Sequence, residues 1–155
     1  MALGRVRFSW EKLDVLLAEP NVRELITEYY EELWFYPDIP VDIDWQRLLR
    51  DEAQGIFRVW AARVNRTLAG FVTFYVQTHV CAKTVLFAVD GGHYLAPAFR
   101  DRGMLGWRMW RSAARALKVE GVVIGMFHDN AKRPLLPFFL MLGAEPRSTM
   151  FWMRF

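Results

Sequence analysis

Leu95-Ala96-Pro97-Ala98-Phe99-Arg100-Asp101-Arg102-Gly103-Met104-Leu105-Gly106-Trp107 is the stretch on which the reading of this chain turns. An apolar run over 84–95 leads into it, and a helical pattern leads out of it to Lys118. A strand, a turn carrying Arg and Gly, and a helix start, in that order, make a place for an anion. The first N–H groups of a helix have no partner inside it, and the helix dipole favours negative charge there. Gly103 and Gly106 let an anion approach the backbone. Arg100 and Arg102 offer forked donors that suit phosphate. The plainer reading of the same letters is a strand-to-helix turn with two solvated arginines.

Downstream, the pattern predicts a helix over 103–118. Trp107, Trp110, Ala114 and Leu117 share one face of it, and Arg108, Arg111, Arg115 and Lys118 form a basic stripe on another. Solvation accounts for such a stripe; an acidic partner or nucleic acid is the sharper reading. Residues 121–127 are apolar without alternation, as a buried parallel strand is. His128-Asp129-Asn130 follows at the strand's C-terminal end, where open α/β sheets place ligands. Pro134 opens a helix over 134–142, Gly143 ends it, and a last strand covers 149–155.

Upstream, Ser9 reads as the cap of a short helix over 10–18, ended by Pro20. Asn21 and Glu24 resemble a capping box for a second helix, with Val22, Leu25, Ile26, Tyr29 and Leu33 on one face. The loop 36–44 carries two prolines and three carboxylates, and Asp44 caps a short helix over 45–53 that Gly55 closes. Strands follow over 56–64 and 68–80, joined by an Asn65-Arg66 turn. The strand over 84–95 is interrupted by Gly91-Gly92, which predicts a bulge or a close backbone approach.

The chain has 155 residues, 54% of them apolar and 15% aromatic, so a single domain over 1–155 with a real core is expected. The net charge of +3 is too small to argue for nucleic acid by itself. The longest apolar run, residues 135–144, contains Pro137 and is too short to span a bilayer. Residues 1–10 hold no apolar core of signal-peptide length. The single cysteine, Cys81, rules out an internal disulfide and fits a reducing compartment. Together these give a cytoplasmic expectation with no membrane partner. His79, His93 and His128 lack metal-motif spacing, so no metal is expected.

Residues 95–106 resemble the central motif of the GNAT superfamily of acyl-CoA N-acyltransferases, with Leu95, Pro97, Arg100 and Gly103 in the motif's places. Leu105 stands where the family has Gly or Ala, and Gly106 follows one position late. The likeness extends over residues 56–155, and in spacing the chain is similar to the small GNAT-like proteins carried by bacteriophages. The resemblance implies a mixed α/β fold. Its mainly antiparallel central sheet would have six to seven strands, flanked by about four helices, with a splayed parallel strand pair. It implies acetyl-CoA as cosubstrate, held by Leu95, Arg100, Arg102, Gly103, Met104, Leu105, Gly106 and Asn130. It also places the loop 36–44 over the acceptor site, making Tyr36, Asp38 and Asp42 candidates for binding a primary amine, whether on a small molecule or on a protein.

Acetyl transfer to an amine needs a base for the amine proton and an acid for the departing thiolate. Asp90 and His93 are the candidates for the base. Three apart on a regular strand they would face opposite sides, but a Gly91-Gly92 bulge brings them to one. The family often uses a Tyr on the last helix as the acid; aligned on Leu142-Gly143, that position is Phe139. A phenyl ring donates no proton, which leaves another acid, release of the thiolate to water, or no catalysis. The expected function is therefore an acetyl-CoA-dependent N-acetyltransferase acting by direct attack in a ternary complex. The alternatives are a GNAT-fold binding protein without catalysis and a nucleic-acid module. Seven tryptophans and an apolar C-terminal strand would also suit a homodimer.

Overall fold

Val6, Phe8 and Trp10 alternate with Arg7, Ser9 and Glu11, and the segment is a strand, β1 (Val6–Glu11), at the edge of the described sheet and not the start of a helix. This corrects the reading of Ser9 as a cap. The alternation has the two-residue period of a strand, and the first helix, α1 (Leu13–Leu17), begins after Lys12. No side chain at Lys12 caps it; instead Glu52 Oε1, from far along the chain, accepts from Leu13 N at 2.9 Å. A local reading has no access to that carboxylate.

The computed structural model describes residues 4–33, 38–79, 81–100, 104–123 and 136–145. After α1 come α2 (Val22–Leu33), α3 (Trp45–Ala53), β2 (Phe57–Val64), β3 (Thr67–His79) and β4 (Ala82–Leu95). A single 3₁₀ turn, Pro97–Phe99, then leads to α4 (Leu105–Leu117), β5 (Gly121–Val123) and α5 (Leu136–Met141). The described residues hold one sheet of order β1-β2-β3-β4-β5. Its first three pairings are antiparallel and β4–β5 is parallel, from Phe87↔Gly121 to Val89↔Val123. The mixed α/β architecture with its parallel pair is thus as expected, with five described strands against the six to seven expected. The expected strand over 149–155 and the expected splay beyond Val123 lie outside the described residues.

Local chemistry explains most boundaries. Asn65 and Arg66 both take positive φ (51° and 74°), the two-residue turn whose twist matches that of its strands. Asp44 Oδ1 accepts from Arg47 N at 2.9 Å, and α3 closes on Gly55 (φ 76°) with Ile56 N bonded to Asp51 O at 2.9 Å. This is the left-handed glycine cap. Asp44→Ala removes the N-cap and should cost about 1 kcal/mol, measured as a lowered midpoint of chemical unfolding.

The sheet is covered on both faces. Leu13, Leu16, Val22, Ile26 and Tyr29 pack with Phe57, Val59 and Phe71 on one. On the other, Phe74 meets Trp110 of α4 edge-on at 5.5 Å. The buried face of α4 is Leu105, Met109, Trp110, Ala113 and Leu117. Trp107 is half-buried and Ala114 exposed, which corrects the expected apolar face by part of a turn.

By internal packing the chain divides into Met1–Gly125 and Met126–Phe155. Within the second, α5 ends as the sequence predicts, at Gly143 (φ 88°). Gly143 N bonds Leu140 O and Ala144 N bonds Phe139 O, each at 3.0 Å. Phe139 is buried, its ring edge-on to Phe138 at 5.1 Å.

Candidate active site

The two glycines of β4 do what their letters predict. Thr73 pairs with Gly92 and Phe74 with Asp90, so Gly91 is the extra residue of a bulge. A Cβ on Gly91 would lie 2.8 Å from Thr73 Oγ1, and one on Gly92 (φ 138°) would lie 2.0 Å from the Tyr29 hydroxyl. Both positions therefore require glycine, for close approach and, at Gly92, for backbone angle as well.

The bulge brings Asp90 and His93 to the same side, with Asp90 Oδ2 3.6 Å from His93 Nδ1. That is ion-pair distance once the ring is protonated, and too long for a hydrogen bond. The Asp90 side chain is 5% exposed, and its Oδ1 accepts from Gly92 N at 2.8 Å. Thr73 Oγ1 donates to Gly92 O at 3.3 Å, which fixes the bulge from the neighbouring strand. The His93 ring meets Trp110 edge-on at 5.6 Å.

Tyr29 backs this centre from α2. Burial, then the Asp90 carboxylate and Tyr30, push its hydroxyl well above the usual tyrosine range, with the His93 main chain partly opposing them through a hydrogen bond. The phenol stays neutral, wedged against Gly92. Its ring contacts Phe71 at 5.5 Å and Tyr94 at 5.6 Å. Sequence reading placed Tyr29 in a helix face but had no signal for its contact with Gly92.

At the end of β4 the anion turn is half visible. Arg102 and Gly103 lie outside the described residues. Arg100 is committed within the fold: its Nε donates to Leu95 O at 2.7 Å and its Nη2 to both Glu32 carboxylate oxygens at 2.9 Å. Its guanidinium also lies over the Tyr94 ring at 5.1 Å. It pins the strand end to α2. Met104 (φ 53°) stands at the N-cap of α4 without a side-chain cap bond. The first N–H groups of Leu105, Gly106 and Trp107 thus meet no capping side chain from it. Leu105 is fully buried against Val64 and Ala69, which explains an apolar residue in the motif's small position. Among the described residues, a Cβ at Gly106 would meet nothing nearer than Leu95 Cδ2 at 3.9 Å, so they leave room beside the helix start.

The loop before α3 keeps Asp38 and Asp42 exposed, while Asp44 is used as the cap. Tyr36 and Asn130 lie outside the described residues. On α4, Arg108 and Arg111 are exposed but stacked, Arg108 over Phe8 at 5.7 Å and Arg111 over Trp107 at 4.7 Å.

Residues 20–143 match the family model of the acetyltransferase (GNAT) family. The chain belongs to the GNAT family. No curated protein sequence matches it significantly. Among solved structures it is similar to a ribosomal-protein-alanine N-acetyltransferase from Brucella melitensis biovar Abortus 2308. The TM-score is 0.72 at 18% identity, over 97% of this chain and 98% of that one. It is also similar to an aminoglycoside acetyltransferase from an uncultured soil metagenomic sample, with TM-score 0.69 at 15% identity over 97% and 96%. A transcriptional regulator from Bacillus halodurans C-125 shares the fold too, with TM-score 0.68 at 13% identity over 97% and 100%. At these identities the likeness is one of fold. As a GNAT protein the chain falls in an acetyltransferase family, and no described helix is long and apolar enough to cross a membrane.

Proposed function

We propose that this GNAT protein transfers an acetyl group from acetyl-CoA to a primary amine by direct attack in a ternary complex. The observation that carries the reading is the Asp90–His93 pair, assembled by the bulge at 3.6 Å on the strand that ends in the anion turn. Acetyl-CoA supplies the thioester carbon and the thiol leaving group. Its pyrophosphate suits the first-turn N–H groups of Leu105, Gly106 and Trp107, where Gly106 leaves room and the dipole favours an anion. His93 takes the proton that the amine gives up as the C–N bond forms. The charge of the neighbouring Asp90 carboxylate stabilises the imidazolium. No covalent nucleophile is needed, and the departing thiolate takes its proton from water. Asp38 and Asp42 form an exposed acidic rim that draws an ammonium group toward the site. Names of fold neighbours keep both small-molecule and protein amines in view as acceptors.

Phe139 favours a second reading, a GNAT fold that binds CoA or a partner without catalysis. Thiol release from acetyl-CoA in the presence of a panel of primary amines tests the first against the second. Amine-dependent release supports transfer; binding of acetyl-CoA without release for any amine supports the second reading.

Gly106→Glu separates the anion site from the fold. A carboxylate in the first turn favours the helix, through propensity and dipole, yet repels a pyrophosphate. Acetyl-CoA affinity should fall about tenfold or more while the melting temperature holds or rises. Calorimetry and thermal unfolding on the same sample read both.

A further inference from the structure

We propose that the outward face of α4 and the groove beside it bind a single strand of nucleic acid. Arg108, Arg111, Arg115 and Lys118 are all exposed, and α4 itself carries no acidic residue. Among the described residues none of the four is ion-paired, unlike Arg7, Arg63 and Arg100. The three arginines follow one another at intervals of three and four residues, so they share one side of the helix over about 10 Å. Lys118 continues the row at the helix end. The small net charge of +3 conceals this concentration. On the opposite face of the sheet α2 exposes Glu24, Glu28 and Glu31, so cations and carboxylates stand apart and each face has a field of its own.

Beside the arginines runs a groove of about 580 Å³, lined by Phe8, Trp60, Trp107, Arg108, Arg111 and Arg115. Its walls are tied together from the sheet and from the helix. Trp60 Nε1 donates to Ser112 Oγ at 2.9 Å, and the Ser112 hydroxyl donates to Met109 O at 2.8 Å. Arg108 over Phe8 and Arg111 over Trp107 rest on aromatic rings yet remain exposed. The ring quadrupole draws each guanidinium to the wall, so less freedom is lost when its planar fork grips an oxyanion.

This chemistry selects the ligand. Charged side chains are depleted at the core of protein–protein interfaces, whereas interfaces with nucleic acid are strongly positive. A row of arginines set among aromatic walls is the composition that single strands use. Phosphates take the guanidinium forks, and unpaired bases stack on rings and on guanidinium planes. Bases stacked within a duplex have no free faces, so the aromatic walls favour the single strand over the duplex.

Fluorescence anisotropy of the full chain with a labelled oligothymidylate of about twelve nucleotides, within the ~4–16 that single-strand sites cover, tests the proposal. Binding at low salt should weaken as salt rises, with a slope of log K against log salt between about −2 and −3, since about 0.7 counterions leave for each phosphate gripped. Replacing Arg108, Arg111 and Arg115 together by Ala should lower the low-salt affinity about thirtyfold or more and leave a slope shallower than about −1. Trp107→Leu keeps an apolar side chain and removes a stacking surface but no charge. It should weaken binding about fivefold or more at an unchanged slope. Both variants are compared at a temperature where thermal unfolding shows them folded. Absence of binding at low salt overturns the proposal, as does a parent slope or affinity that either variant leaves untouched. Equal or tighter binding of a duplex of the same length, or of polyglutamate, overturns it too. So does displacement of the strand by saturating CoA, which would put the strand at the start of α4 and not along its outward face.

Discussion

His93→Gln should lower kcat for amine acetylation about a hundred- to ten-thousand-fold, the range that a positioned general base contributes. The substitution keeps a polar side chain beside Trp110 and leaves the Asp90–Gly92 bond in place. The main chain that meets Tyr29 is also unchanged. The KM for acetyl-CoA should stay near the parent value, because the lost interaction is a proton transfer and not a binding contact. Asp90→Asn should fall between the two: the amide oxygen still accepts from Gly92, but no carboxylate faces the imidazolium. Steady-state kinetics with the best amine of a panel measure both. A His93→Gln enzyme within about twofold of the parent would remove His93 from the proposed chemistry.

Arg63→Met should cost about 3–5 kcal/mol of stability, the cost of stranding a buried carboxylate by removing its partner. Arg63 Nε donates to both oxygens of Glu11, at 2.8 and 3.0 Å, and its Nη2 reaches Glu11 Oε2 at 2.6 Å. The same guanidinium bonds Glu19 and, through Nη1, the main chain at Arg66 O at 2.9 Å. Only 11% of the Arg63 side chain and 10% of the Glu11 side chain are exposed. The pH dependence carries a definite sign. Burial by itself would raise the pKa of Glu11; the Arg63 bonds and charge, with help from Ser9 and Arg7, outweigh it and hold it below the ordinary value of 4.5. Its contribution is therefore full above that ordinary value and is lost as pH falls through the lowered one. In Arg63→Met burial acts unopposed by that partner, so the deficit against the parent should be largest near neutral pH and should shrink on acidification. Urea unfolding at a series of pH values reads this directly. A deficit that does not depend on pH would mean that lost packing, and not the stranded carboxylate, is what destabilises the variant.

How much of this was legible in the letters depends on how local the cause is. Gly91-Gly92 announced the bulge, and with it the meeting of Asp90 and His93, because an extra residue in a strand has only local consequences. The Asp44 cap, the Asn65-Arg66 turn and the two glycine-closed helices were legible for the same reason. Val6 to Glu11 was misread because a serine followed by an apolar helix pattern imitates a cap, while three alternations make a short strand signal. The Arg100 clamp was out of reach: its partner Glu32 is 68 residues away, and nothing near Arg100 distinguishes a guanidinium that grips a helix from one that grips a phosphate. Tyr29 against Gly92 and Glu52 at the start of α1 are likewise contacts of the folded chain alone.

The most direct test of the account is a calorimetric titration of the full chain with acetyl-CoA, repeated on Gly106→Glu. Micromolar binding at one site per chain is expected, lost or strongly weakened in a variant that melts no lower than the parent. A folded parent that takes up no acetyl-CoA would contradict it, and equal affinity in Gly106→Glu would contradict the placing of the pyrophosphate at the start of α4.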